Sequence, residues 1–251
     1  MRRKLPIRAR IVALAALVFG LWALLAPSSL RTVWEFTRQT LMGQQTVSSR
    51  VRQFDSVVRR RLEPEFARIQ LAYPPKAVAL VGVKKDRLLE VWVSGDDDTW
   101  GLLRAYPIFG LSGTLGPKLR EGDLQVPEGI YAVESLNPNS AFHLSLRVGY
   151  PNEFDRAQAK SEGRTQLGND IMIHGGSSSI GCIAVGDEAA EDLFVLAAEI
   201  GLENVRVILT PVDFRTGAHP TDSPANPAWL QELYDRIAAA LRPLTGAPQK
   251  G

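Results

Sequence analysis

The stretch Ile171–Cys182, IMIHGGSSSIGC, decides how this chain reads. A short apolar run ends on His174, a small polar loop of glycines and serines follows, and Cys182 closes it as the only cysteine in 251 residues. The apolar run has strand character. Directly after the cysteine the period becomes helical: GDEAAEDLFVLAAEIG carries Asp187, Glu188, Glu191 and Asp192 in its first turns and Gly201 at its end. Leu193, Leu196, Ala197 and Ile200 make one apolar face of that helix. The order is strand, histidine, loop, cysteine, helix.

This order suits nucleophilic chemistry. A thiol attacks carbonyls as its thiolate, and a neighbouring base or helix N-terminus lowers its pKa. His174 is held at a strand end, and the Gly/Ser loop is flexible enough to return Cys182 to its side. Gly181 lets the backbone approach a substrate carbonyl, where N–H groups could form an oxyanion hole. The constellation fits acyl transfer through a thioester. The bland readings are a buried small thiol and a structural histidine. A zinc site needs further ligands; His143 and His219 exist, but no second cysteine does. No metal and no cofactor are expected.

Composition narrows the rest. At 45% hydrophobic and 22% charged residues the chain is globular rather than disordered. One cysteine excludes an intramolecular disulfide and a four-cysteine metal site. A net charge of +2 gives no support to a nucleic-acid partner. The strands expected are Ala77–Val83, Leu88–Val93, Leu102–Ile108, short runs in VPEGIYAVESLNP and AFHLSLRVGYP, the run into His174, and VRVILTPV. PAWLQELYDRIAAALRPL is a second amphipathic helix. The fold class is mostly β with α, an α+β domain.

The ends differ in texture. MRRKLPIRAR is basic without an acid, and Ile11–Leu30 just reaches the roughly 20 apolar residues that span a bilayer. Residues 1–30 read as an uncleaved signal anchor, with a cleaved signal peptide as the alternative. Residues 31–75 form an amphipathic helical stalk with Val47, Val51, Phe54, Val58 and Leu62 on one face, packing on the domain or lying on the membrane. Pro64 and then YPPK end that region. Residues 76–215 carry the catalytic domain, and 216–251 a loop and the last helix.

These residues also resemble a known family. IHG, then serines, then S-x-G-C is similar to the signature of the L,D-transpeptidase catalytic domain, the YkuD-type family, and is closest to its YafK-like branch. SGTLGPKLREGDLQVPEGIY and FHLSLRVGYPNEFDRA support this in the family's order, so the resemblance covers about Ala77 to Arg215. It implies a small β-sandwich-like domain with the active site at one end, acting on peptidoglycan stem peptides. The cysteine attacks a carbonyl next to a D-configured centre, usually that of meso-diaminopimelate. The implied roles are Cys182 as nucleophile, His174 as base, Gly181 and Cys182 as oxyanion donors, and Ser179 as a loop-shaping residue. Because Gly175 follows the histidine, a backbone carbonyl is the implied orienter of the imidazole.

Two positions depart from the common pattern. Many members carry SHGC and an arginine two residues after the cysteine; here Ile180 and Ala184 stand there. The YafK-like branch shares the simplified pattern, and its activity is hydrolysis of the amide between diaminopimelate and a lipoprotein lysine. That hydrolysis is the expected activity here. The alternatives are L,D-transpeptidation and a non-catalytic peptidoglycan-binding module. The expected location is the bacterial inner membrane with the catalytic domain in the periplasm.

Five more residues are candidates for substrate binding. Tyr150, Asn152, Asp155 and Arg156 lie together in GYPNEFDR, which reads as a turn. Arg156 could grip a stem-peptide carboxylate and Asp155 an ammonium group. His143, in mid-strand, could line the cleft.

Overall fold

The computed structural model describes residues 44–220 and 226–245. The expected anchor, the start of the stalk and the end of the tail lie outside them. Among the described residues no helix is long and apolar enough to cross a membrane. The described helices are α1 (Val47–Arg68), α2 (Glu153–Ser161), α3 (Asp187–Ile200) and α4 (Leu230–Leu241). The strands are β1 (Ala77–Val83), β2 (Leu88–Ser94), β3 (Trp100–Pro107), β4 (Gly110–Leu111) and β5 (Gly129–Ser140). Then follow β6 (His143–Val148), β7 (Met172–His174), β8 (Ile183–Ala184) and β9 (Val205–Thr210).

The nine strands make one sheet in the order β3-β2-β1-β9-β5-β6-β7-β8-β4. The expected sandwich-like pair of sheets is thus a single curled sheet in an α+β fold. The reason is β5. Its first residues, Gly129–Ala132, pair with β9, and its later ones pair with β6, with register shifts between Val133 and Ser135. One long strand therefore belongs to both halves and bends where it changes partner. Only β1–β9 and β7–β8 are parallel.

β1 is apolar at every position because both its faces are covered. Val78 and Leu80 join the core beneath α1 and α3, whereas Ala79, Val81 and Val83 meet Leu233, Ile237 and Leu241 of α4. α1 buries Val58, Leu62 and Phe66, one face at four-residue spacing, and packs Val51 and Phe54 against the same core. Pro64 does not end this helix, which runs on to Arg68. Losing one N–H is tolerated there because buried Phe66 and the Arg68 guanidinium, bonded to the carbonyls of Leu102 and Leu103, hold the last turn.

Charges fasten α1 to α3. Arg61 donates to Asp192 at 2.6 Å and to Glu191 at 2.9 Å, and the fully buried Asp192 also accepts the Tyr106 hydroxyl at 2.6 Å. A second buried pair, Lys84 Nζ with Glu128 Oε1 at 2.8 Å, ties the β1–β2 turn to the loop before β5. Tyr234 of α4 donates to the other oxygen of Glu128.

The GYPNEFDR stretch is a helix start rather than a turn. Asn152 caps α2 by accepting from the Asp155 N–H at 2.9 Å, and Asp155 accepts from the Asn152 N–H at 2.9 Å. That reciprocal pair is a capping box, readable as N-x-x-D.

Candidate active site

β7 and β8 run side by side in parallel, with Ile173 opposite Ile183 and His174 opposite Ala184. Side chains alternate along a strand, so His174 and Ala184 share a face, and Cys182 lies immediately before β8. The buried loop ends are thus fixed by the sheet, while Ser177 and Ser178 are exposed. The sheet sets the end of β7, which carries His174, beside β8, which directly follows Cys182.

Two contacts hold the imidazole, and a third holds the loop that follows it. His174 Nδ1 donates to the carbonyl of Gly175 at 2.6 Å. A carbonyl only accepts, so Nδ1 carries the proton and Nε2 is left as the basic nitrogen. The Phe142 ring lies over the imidazole with centroids 4.7 Å apart. Asp187 at the start of α3 accepts from the Gly176 N–H at 2.8 Å. Gly175 is packed too tightly for any side chain: a Cβ there would stand 2.6 Å from Asp187 Oδ1 and 2.7 Å from the Phe142 carbonyl.

The cysteine end is held as firmly. Ser179 donates to the Cys182 carbonyl. Gly181 has φ +89°, open to glycine and costly for other residues. Its N–H donates to Ser112 Oγ at 2.6 Å, and Ser112 donates on to the Leu124 carbonyl at 2.8 Å. The N–H assigned to an oxyanion is therefore already occupied, by a serine that an incoming oxygen must displace. Ile180, 79% exposed two residues before Cys182, and Phe142, 47% exposed over His174, present apolar surface.

Electrostatics correct one expectation. The thiol pKa is raised, not lowered: burial acts first, and the Asp170 charge adds to it against a hydrogen bond from Met172. The thiol itself donates to the Asp170 carbonyl at 3.5 Å. Burial pushes His174 below its ordinary value, opposed in part by the Gly175 bond. Both shifts favour a neutral thiol beside a neutral imidazole over a thiolate–imidazolium pair.

The other candidates fall elsewhere. His143 does not face the thiol's partners: its Nε2 lies 2.9 Å from Glu191 Oε1, and its ring meets Phe54 of α1 edge-on. Tyr150 is buried, with its hydroxyl 3.3 Å from the carbonyls of Lys118 and Leu167, where it joins two loops. Asn152 and Asp155 are spent on the α2 cap, and Asn152 also donates to the Ile130 carbonyl. Burial holds the Asp155 carboxyl up to about 6. Arg156 is exposed on α2. Ser112, Phe142, Asp170 and Asp187 were not singled out for the site by the sequence; only Asp187 had a signal, as a first-turn acid. Among the described residues no group of His, Cys, Asp and Glu converges as a metal site.

The His174 imidazole, oriented by the Gly175 carbonyl, and Cys182, immediately before β8, lie at the β7–β8 end of the curled sheet. The family model of the L,D-transpeptidase catalytic domain, YkuD, matches residues 76–209. The chain belongs to that family, whose enzymes act on peptidoglycan. It is 35% identical over 133 residues to YafK of Escherichia coli K12, and equally to YafK of strain O157:H7. The match covers 51% of this chain and 51% of YafK, so the chain spans about half the length of these relatives. Among solved structures it is similar to the helical cell shape determining protein Pgp2 of Campylobacter jejuni. That match has 24% identity, covers 57% of this chain and 50% of Pgp2, and gives a TM-score of 0.45.

Proposed function

We propose that this protein is a cysteine hydrolase of the bacterial cell envelope that cleaves the amide between diaminopimelate and a lipoprotein lysine. The observation that carries the reading is the His174 Nδ1 bond to Gly175, which leaves Nε2 as the basic nitrogen at the end of β7, whose neighbour β8 directly follows Cys182. Membership of the family and likeness to YafK, named as an L,D-transpeptidase, support the peptidoglycan side of it.

In this mechanism the Cys182 side chain turns from the Asp170 carbonyl and gives its proton to His174 Nε2 as sulfur attacks the carbonyl carbon. The oxyanion takes N–H donors from Gly181, freed from Ser112, and from Cys182. Collapse breaks the C–N bond. The imidazolium returns the proton to the leaving lysine amine, and the stem remains as a thioester. Water then attacks, His174 accepts its proton and hands it to the departing thiol, and a free carboxylate results. An N-terminal anchor would keep this domain in the periplasm, at the inner membrane.

The test is a muropeptide mass profile. Sacculi carrying attached lipoprotein and free tetrapeptide stems are incubated with the protein or with Cys182→Ala. Tripeptide stems should appear as lipoprotein leaves, with wild type alone. New diaminopimelate cross-links would instead make it a transpeptidase, and sacculi bound but unchanged would make it a binding module.

A further inference from the structure

The family's usual arginine two residues after the cysteine is Ala184 here, and another guanidinium, that of Arg147, pairs with Asp170, whose carbonyl receives the Cys182 thiol. Arg147 of β6 pairs with Met172 of β7. Cys182 lies one residue before β8, and its sulfur meets the backbone of Met172. Arg147 and Met172 share the face that also carries His174, and the β7–β8 register, extended by one residue, would add Cys182 to that row. Two inter-strand steps, roughly 10 Å, separate the first from the last.

This arginine does not stand alone. Its Nη1 lies 2.5 Å from Asp170 Oδ1, and its Nε lies 3.1 Å from Glu134 Oε2. Asp170 is the same residue whose carbonyl receives the Cys182 thiol. It is also held at φ +60°, a left-handed conformation uncommon for a residue with a side chain. Both partners reach solvent, Arg147 at 31% and Asp170 at 65% of their side-chain surface. The site thus presents one cation and one anion side by side, within about one short acyl chain of the sulfur.

We propose that Arg147 and Asp170 form a specificity subsite for the free end of the diaminopimelate residue whose other end is acylated on Cys182. That end carries an ammonium and a carboxylate on one carbon. Arg147 takes the carboxylate with its planar fork, and Asp170 takes the ammonium. The reach agrees: five carbon–carbon bonds from the thioester carbonyl to that carbon span roughly 6 Å. An exposed ion pair is weakly held, so exchanging Arg147–Asp170 for the zwitterion loses little. A lysine stem, which offers an ammonium and no carboxylate, is disfavoured. The subsite rests on the proposed reading that a diaminopimelate stem is the acyl donor.

Two measurements on the full chain test it. The first is kcat/KM on synthetic stems amide-linked to lysine, one set built with diaminopimelate and one with lysine in the stem. The second is calorimetric binding of the two tripeptides to Cys182→Ala. Wild type should favour diaminopimelate by about 10- to 100-fold, the range of a charge-assisted pair. Arg147→Gln should remove that preference by lowering only the diaminopimelate value, and Arg147→Lys should restore part of it. An equal fall on both stems in Arg147→Gln, or no preference in wild type, overturns the subsite even if hydrolysis proceeds. Preferential binding by Cys182→Ala that is lost when Arg147→Gln is added to it, without any turnover in wild type, upholds the subsite and overturns the hydrolase reading.

Discussion

Gly175→Ala is the most severe single-atom test of the site's architecture. The added Cβ would lie 2.6 Å from Asp187 Oδ1, 2.7 Å from the Phe142 carbonyl and 3.0 Å from His143 Cβ. Only the first is the end of a side chain. The second is backbone, so the Phe142 segment must retreat by several tenths of an ångström to restore contact. Overpacking of this kind costs about 1–3 kcal/mol. In a domain of this size each kcal/mol lowers Tm by roughly 2–4 °C, so a fall of about 2–12 °C is expected. Catalysis should suffer more than stability, because Gly175 orients His174 and the Phe142 ring lies over it. The assay is thermal unfolding beside kcat on a stem peptide. Gly163→Ala is the control: φ is +69° and a Cβ there meets nothing within 4 Å, so it should cost about 1 kcal/mol and spare kcat. A Gly175→Ala protein with wild-type Tm and kcat would refute the packing argument.

Three further outcomes are expected. Phe142→Ala should uncover the imidazole, and since burial is what lowers the His174 pKa, that value should rise and the acid limb of kcat/KM should move to higher pH, read by NMR titration and a pH–rate profile. Lys84→Met strands the Glu128 carboxylate in a dry interior and should cost about 3–5 kcal/mol in urea unfolding, whereas Lys84→Met with Glu128→Leu should recover only part of it, because Tyr234 and the Gly116 N–H lose their acceptor. Asp155, held up to about 6 by burial, keeps a proton in the folded state that the unfolded chain has released by about pH 4; stability contributed below that window is lost as pH rises to 6, by up to roughly 3 kcal/mol, and Asp155→Asn should flatten that slope.

What was legible in the sequence is what is local. His174, Gly175, Ser179, Gly181 and Cys182 lie within nine residues, so one motif carries their spacing and the strand-to-helix change frames them. The β1–β2 hairpin was legible for the same reason, two apolar runs around a charged turn. Residues that join the site through the sheet left no such trace. Ser112 reaches Gly181 across 69 positions, and Arg147 arrives only because β6 neighbours β7. His143 illustrates the converse. It is near the site in the chain's pairing but is bound by Glu191 and Phe54, partners that only the docking of α1 and α3 provides. The curled sheet was hidden because β5 holds two pairings in one unbroken strand. The α2 start was hidden by polarity: N-x-x-D serves a turn and a capping box alike.

The central claim is a thioester at Cys182 formed with His174 as base. The most direct measurement is intact-protein mass after mixing with a lysine-linked diaminopimelate stem and quenching in acid within the first turnover. The account predicts a covalent adduct equal to the stem acyl group on wild type, none on Cys182→Ala, and formation slowed by at least about 100-fold in His174→Gln. Cleaved stems without an adduct at Cys182, or undiminished cleavage by Cys182→Ala, would contradict it.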